Sequence, residues 1–326
     1  MLLSFVIPCY RSENTIRNVV EEIRAVVAQR EGYDLEIICV NDCSPDDVYT
    51  VLQQLAKEDK RIKVINFAKN MGKHAAVLAG YSVVKGDIVV NLDDDMQSPM
   101  DHLWELVDPM VRDECDVVTA NYRVKKQAVW KNMGSAFNRW VSGLLLDKPK
   151  ELHFDNFNAM KFFVAKEMIN YKNPYPFLDG LIVRTTGRII AVEMDERNRG
   201  DSNTTGYTLK KSIALFLNGF TAFSVKPLQL ATAVGVISAV AGFLWAVYLI
   251  VKKVMNPSVE VGYTSMLVFI LFIGGLLLIS QGMLGEYIGR IYICLNASPQ
   301  YVIRDTLNIE AEPMPDRQSN NEKVRE

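Results

Sequence analysis

The sequence predicts an α/β domain built on a parallel sheet, followed by two membrane-crossing helices. Three observations lead there. Short apolar runs rich in β-formers alternate with amphipathic helical runs over residues 2–120. Strand and helix in alternation at this spacing make a parallel sheet with right-handed crossovers. Polar clusters follow several of the apolar runs, as they do where a sheet carries a site. Two long runs without a charged residue, 228–251 and 263–285, lie in the second half.

The elements follow in order. Residues 2–7 (LLSFVI) form the first strand, stopped by Pro8. Ile16, Val19, Val20, Ile23, Val26 and Val27 recur at three and four and predict a helix within 13–30. Residues 35–40 (LEIICV) make a second strand. Ser44-Pro45 opens a helix, where the missing proline N–H costs little. Strand 62–66, helix 73–84, strand 87–92, helix 99–113 and strand 116–120 come next. Residues 125–180 are less regular, and 181–194 alternate in a strand-like way around Thr186-Gly187.

Beyond this domain, 1–207, an amphipathic juxtamembrane segment at 208–227 starts basic and turns apolar, which suits a helix lying in the membrane interface. The uncharged runs 228–251 and 263–285 each span roughly 35 Å as helices, enough for a bilayer core of about 30 Å. Two buried core helices are the alternative. Arg197, Arg199, Lys210, Lys211 and Lys226 precede the first run, against Lys252 and Lys253 in the connecting loop. That balance puts the N-terminal domain and both ends in the cytoplasm. The C-terminal segment 286–326 is expected to be disordered from about 306, where it turns polar and carries two prolines.

Composition excludes several classes. A formal charge of −2 offers no nucleic-acid footprint. The five cysteines form no C-x-x-C and have no histidines at zinc spacing, so they read as reduced, packed thiols. No G-x-G-x-x-G is present to mark a dinucleotide site.

Candidate site residues fall at three strand ends: Pro8–Glu13, Asn41-Asp42 and Asp93–Gln97. The last opens with three consecutive aspartates. Like charges side by side are costly unless something offsets them, and Mg²⁺ or Mn²⁺ would. Such ions take one or two carboxylates and complete their shell with substrate phosphate oxygens. Asp93 and Asp95 can share one ion if the chain bends between them, with Asp94 pointing elsewhere. A helix start explains Ser98 as N-cap and Pro99 in the first turn, but not three aspartates ahead of the cap.

The strings FVIPCYRSENTI, VNDCSPDD, NFAKNMGKHAAVLAG and GDIVVNLDDDMQSP, in this order, resemble glycosyltransferase family 2. ERNRGDSN, the basic amphipathic segment, FSVKPL, the two apolar runs and QGMLGEYIGRIY resemble its polyprenyl-phosphate glycosyltransferases. The resemblance covers residues 3 to about 304. It implies a GT-A fold with a mixed, mostly parallel sheet. It implies inverting transfer of a sugar from a nucleotide-diphospho-sugar, with UDP the expected carrier, to a polyprenyl-phosphate lipid at the cytoplasmic face of a bacterial inner membrane.

The resemblance also implies roles. Asp93 and Asp95 hold the metal on the donor diphosphate, and Gln97 borders that site. Pro8, Tyr10, Glu13 and Asp94 belong to donor binding. Asp42 lies near base and ribose, although Asn41 replaces a common aspartate before it. Lys73 sits near the donor. Asp155 is the catalytic candidate, as base or as orienter of the sugar, with Asp179 in reserve. Arg197, Ser202 and Arg123 bind the acceptor phosphate. Thr204–Gly206 is an insertion relative to the family pattern. A lipid phosphate, with a second pKa of about 6, is already an anionic nucleophile, so a general base matters less than for an alcohol.

Other readings stand beside this one. A processive polysaccharide synthase would carry Q-x-x-R-W after the catalytic aspartate; AFNRW lacks the glutamine and precedes Asp155. Transfer to a sugar already on a lipid is another. A membrane scaffold with an inactive domain is opposed by intact Asp93, Asp95 and Gln97. Gly274-Gly275 and Gly282 permit close helix packing, consistent with a homo-oligomer.

Overall fold

In the computed structural model, residues 1–122, 154–174, 176–195, 197, 226–255, 262–296 and 299–310 are described. The chain divides into two units. One combines Met1–Lys126, Glu151–Ser202 and Pro299–Glu326; the other combines Gln127–Lys150 and Asn203–Ser298.

The first unit is built on strands β1 (Leu2–Cys9), β2 (Asp34–Asn41), β3 (Ile62–Phe67), β4 (Ile88–Asn91), β5 (Val117–Tyr122), β6 (Asn158–Lys161), β7 (Ile189–Met194) and β8 (Ile303–Leu307). They form one sheet in the order β7-β5-β6-β4-β1-β2-β3-β8. Strands β1 to β4 pair in parallel, as do β5 and β7. β6 runs antiparallel between β4 and β5, and β8 runs antiparallel to β3. The sheet is therefore mixed.

Helices α1 (Ile16–Val27), α2 (Val48–Glu58), α3 (Lys73–Tyr81), α4 (Leu103–Val111), α5 (Phe162–Met168) and α6 (Leu178–Thr185) cover both faces. Phe5 and Ile7 of β1 pack with α1, α2 and α4, while Val6 packs with α3, α5 and α6. Alternate side chains serve opposite cores, so the strands read as continuous apolar runs. At Gly80 an added Cβ would collide with Val6, so only glycine lets α3 lie this close to β1.

Several boundaries differ from expectation. β1 continues through Pro8 rather than stopping there. The carbonyls of Leu2 and Val6 accept bonds from the β4 side, at Asp87 and Leu92, so even-numbered residues face that way. Pro8 faces the same way but lies beyond the last β1–β4 pair, Val6–Asn91, so its missing N–H breaks no ladder bond. The helix expected at Ser44 starts at Val48, because the intervening residues bind the neighbouring loop. Residues 181–185 are helical, not strand: Leu178, Leu181 and Ile182 share one buried side at helical spacing.

The tail expected to be disordered from about 306 is ordered through 310. β8 pairs with β3, Tyr301 stacks on Phe67 at 5.4 Å, and Asn308 donates to the Ala56 and Ile62 carbonyls at 2.6 and 2.8 Å. An edge strand hydrogen-bonded along its length gains backbone bonds that composition does not advertise.

In the second unit, α7 (Lys226–Met255) and α8 (Tyr263–Leu295) are long helices that contain the two uncharged runs. Among the described residues, Phe272–Leu295 is long and apolar enough to cross a membrane, and Ala231–Trp245 is a shorter apolar stretch. Their close approach is at Gly242, where a Cβ would meet the Phe269 ring at 3.1 Å. Gly274, Gly275 and Gly282 face open space instead.

Candidate active site

The loops leaving β1, β2, β3 and β4 are tied together by one another's side chains. The Asp94 carboxylate accepts the Tyr10 N–H at 2.9 Å, and the Asp94 carbonyl accepts the Thr15 hydroxyl at 2.5 Å. Ser44 Oγ accepts the Arg11 N–H at 2.7 Å, and Asp46 accepts the Glu13 N–H at 3.0 Å. Glu13 in turn accepts the Asp47 N–H at 2.9 Å. Asp42 accepts the N–H groups of Met71 and Gly72 at 2.7 and 2.9 Å. Arg11, Cys43 and Met96, one on each of three loops, adopt left-handed φ of 60°, 49° and 65°. Such backbone is costly away from glycine and is held by its surroundings.

Asp93 forms the wall of a cleft lined also by Pro8, Lys73, His74, Asn91, Asp155, Asn158 and Asp179. Its carboxylate pairs with the Lys73 ammonium on one oxygen. The other oxygen accepts the Asn156 amide at 2.8 Å. Asp95 accepts the Gln97 N–H at 3.1 Å. Burial pushes Asp94 up to about 6, with the Asp93 and Asp95 charges adding to it against the bond from the Tyr10 N–H.

Among the described residues no three His, Cys, Asp or Glu side chains gather as a metal site. The hard carboxylate oxygens of Asp93 and Asp95 fit a divalent ion whose remaining ligands come from substrate, not a resident all-protein cage.

Asp155 sits at the mouth of β6. Its N–H donates to Thr119 Oγ1 at 3.0 Å, and its carboxylate accepts the Phe157 N–H at 3.3 Å. Burial raises its pKa above the usual carboxylate range. Asp179 lines the same cleft from α6.

The structure thus brings Pro8, Lys73, Asp93, Asp155 and Asp179 to one cleft. Tyr10, Glu13, Asp94 and Gln97 lie in the loops around it. Two residues expected at ligands also have protein partners. Asp42, expected at base and ribose, holds the loop that carries Lys73. Arg197, expected at an acceptor phosphate, pairs with Glu22 of α1 and with Asp101, the latter at 2.7 Å. Arg123, Ser202 and the Thr204–Gly206 insertion lie outside the described residues.

Sequence reasoning missed the polar floor of the cleft. Asn91 donates to the Tyr81 hydroxyl at 2.6 Å and to Asn158 Oδ1 at 2.7 Å. His74 lies on the first turn of α3 with its ring edge-on to Phe177 at 5.9 Å. Burial, then the neighbouring Lys73 charge, pushes its imidazole down to about 4, so it is neutral at pH 7. One signal was available: Asn91 and Asp93 are two apart along an extended chain and share a face.

Residues 4–168 match the model of glycosyl transferase family 2, and residues 226–291 match the GtrB C-terminal hairpin. The chain is 32% identical to the uncharacterized glycosyltransferase YkcC of Bacillus subtilis, over 94% of each chain. It is 30% identical to the bactoprenol glucosyl transferase of Shigella phage SfX, over 93% of this chain and 99% of that one. A glucosyl-3-phosphoglycerate synthase from Mycobacterium tuberculosis, solved with Mn²⁺, uridine diphosphate and glucosyl-3-phosphoglycerate, superposes with a TM-score of 0.50. That likeness has 19% identity and covers 68% of this chain and 77% of the other; it shows a shared fold.

Proposed function

The chain belongs to glycosyltransferase family 2, and from that premise we propose that it transfers a sugar from a nucleotide-diphospho-sugar to the phosphate of a polyprenyl lipid. The observation that carries this reading is a carboxylate cleft at the end of β4 in one chain with the hairpin of residues 226–291. A relative named for bactoprenol, matched over 93% of this chain and 99% of its own, supports the lipid acceptor.

In this reading Asp93 and Asp95 would hold Mg²⁺ or Mn²⁺, which would supply charge neutralisation for the departing nucleotide diphosphate. Lys73, released from Asp93, adds a second cation at the same phosphates. Tyr10 and Gln97 border the donor. Asp155 orients the sugar so that the lipid phosphate, already anionic, attacks from the opposite face and inverts the anomeric carbon. Fixing the two reactants in line is the larger contribution, since the acceptor needs no base. Helices α7 and α8 cross the membrane as a hairpin, with the domain 1–207 on the cytoplasmic side. An acceptor confined to the bilayer then meets a tethered domain by a two-dimensional search.

The test uses membranes containing the full chain, undecaprenyl phosphate, a divalent ion and a panel of labelled nucleotide sugars. Mass spectrometry of the extracted lipid should show one hexosyl phosphate-linked product, lost with chelator and with Asp93→Asn. Label appearing only in polysaccharide, or no product with any donor, overturns the reading.

A further inference from the structure

Strand β8 reaches beyond the edge it closes. It lies antiparallel to β3 with one extra residue: Asn66 faces Asp305 and Phe67 faces Ile303, so Arg304 bulges out. The bulge advances the strand by one position at the end of β3 that leads to Lys73. Ala68, the first residue beyond β3, therefore meets Val302, whose carbonyl accepts its N–H at 2.8 Å. Bulges re-aim a strand and recur beside active sites. Just outside the bulge Tyr301 lies flat on Phe67, with ring planes 4° apart and centroids at 5.4 Å. Phe67 is the last residue of β3 and is 1% exposed. Gln300 anchors the approach, donating to the Tyr171 and Asn173 carbonyls, each at 2.7 Å.

Residues 68–72 connect β3 to Lys73 at the start of α3. Two sets of bonds hold them. At the α3 end, the Asp42 carboxylate accepts the Met71 and Gly72 N–H groups, and Asn70 donates to the Asp42 carbonyl at 3.0 Å. At the β3 end, Val302 and the ring stack hold Ala68 and Phe67, and the Cys43 thiol donates to the Ala68 carbonyl at 3.8 Å. Asn41 donates to the buried Asn66 side chain at 2.9 Å and joins β2 to the same end of β3. The loops after β2 and β3 are thus locked to each other, and β8 is the outer wall of the lock. A short loop fixed at both ends gives its last residue one position. Released at one end, it regains backbone freedom and spreads over several.

We propose that Tyr301 is a positioning residue for the donor diphosphate: stacked on Phe67, it fixes the β3 end of the 68–72 loop and, through that loop, the Lys73 ammonium. This rests on the donor reading given under Proposed function, in which Lys73 meets the phosphates. Tyr301 touches no reactant. Its ring keeps Ala68 against Val302, so that the ammonium is held at one place rather than several. Losing one aromatic stack changes an equilibrium by roughly 2–10-fold, which sets the ceiling for the effect.

The experiment measures binding of UDP, GDP and thymidine diphosphate, each with Mn²⁺, to the full chain in nanodiscs, with melting temperatures recorded. Variants are Tyr301→Ala, Tyr301→Phe, Asn308→Ala, Lys73→Met and the pair Tyr301→Ala/Lys73→Met. Tyr301→Ala should bind the preferred nucleotide about 2–10-fold more weakly, and Tyr301→Phe, which keeps the stack, should match wild type. Asn308→Ala loosens β8 at its other end, beside Ala56 and Ile62, so melting should fall while affinity stays. In the Lys73→Met background Tyr301→Ala should cost no further affinity, because the cycle isolates what passes through Lys73. The inference is overturned, while the donor reading stands, if Tyr301→Ala binds as wild type does or if Asn308→Ala weakens binding equally. It is also overturned if Lys73→Met alone changes nothing, or if the Tyr301→Ala loss persists beside it. Should Tyr301→Ala not fold, Tyr301→Leu, apolar but without a ring to stack, takes its place under the same outcomes. If wild type binds none of the three nucleotides, the donor reading falls and takes the inference with it.

Discussion

Replacing Asp42 separates two roles for this residue. The side chain is 4% exposed, and its two oxygens accept the Met71 and Gly72 N–H groups at 2.7 and 2.9 Å. Asp42→Asn keeps one acceptor but turns an amide donor toward the other N–H. One buried N–H without a partner costs about 1–3 kcal/mol. In a domain of this size each kcal/mol lowers the melting temperature by roughly 2–4 °C, so a fall of about 2–12 °C follows. Asp42→Ala strands both N–H groups and should fall further. Lys73 is the next residue after Gly72, so kcat/KM should drop as well, by up to about 100-fold if the ammonium moves by 1 Å.

The assay is thermal unfolding of the full chain in detergent without nucleotide, with initial rates measured in parallel. Burial holds the Asp42 pKa above its usual value, outweighing the two N–H bonds. A raised folded pKa gives stability that is present at acid pH and lost as pH rises through it. The gap between wild type and Asp42→Asn should therefore widen as pH falls from neutral. Unchanged melting in Asp42→Asn, with nucleotide affinity lost, would refute the loop-holding argument and return Asp42 to the nucleotide.

Other outcomes can be checked the same way. Glu36 lies buried at the far end of the strands and accepts Lys63 Nζ at 2.6 Å, Ser4 Oγ at 2.6 Å and the Lys85 N–H at 2.5 Å. Glu36→Leu strands the Lys63 ammonium and should cost about 3–5 kcal/mol, most of it recovered in Glu36→Leu/Lys63→Met. Burial opposes the Glu36 charge, but its bonds to Lys63, Ser4 and Lys85 hold the pKa below the usual range. Its contribution is thus present above that range and lost as pH falls through the folded pKa, which acid unfolding of wild type and double variant compares. Arg197→Ala and Glu22→Gln should lower melting together and leave the KM for lipid phosphate unchanged; a rise in that KM for Arg197→Ala alone would restore the acceptor role. Asn308→Ala should lower stability by about 1–2 kcal/mol, since two carbonyls lose their donor, and denaturant unfolding measures it.

Part of this site was legible in the sequence because it rests on local pattern. Asp93 and Asp95 stand out because a run of like charge after an apolar strand has a short list of causes. Pro8, Lys73 and Asp155 were legible through the order of whole motifs. The network of Asn91, Tyr81 and Asn158 and the buried His74 were not, because a lone asparagine or histidine has no pattern. Its meaning depends on which neighbours it meets. Asp42 and Arg197 show a different limit: their types suit a ligand, and the sequence does not reveal the protein groups they also meet, the Met71 and Gly72 N–H groups and the Glu22 and Asp101 carboxylates.

Local order along the chain determined the β/α alternation, the strand-end position of the carboxylates and the two uncharged runs, because side-chain periodicity and charge repulsion act between near neighbours. Tertiary structure decided the rest. It inserted β6 antiparallel between β4 and β5, returned residues 303–307 as an edge strand against β3, and set which polar groups pair. Those choices depend on backbone hydrogen bonds and contacts between residues far apart in sequence, 248 positions for Lys60 and Asn308, and no local pattern encodes them.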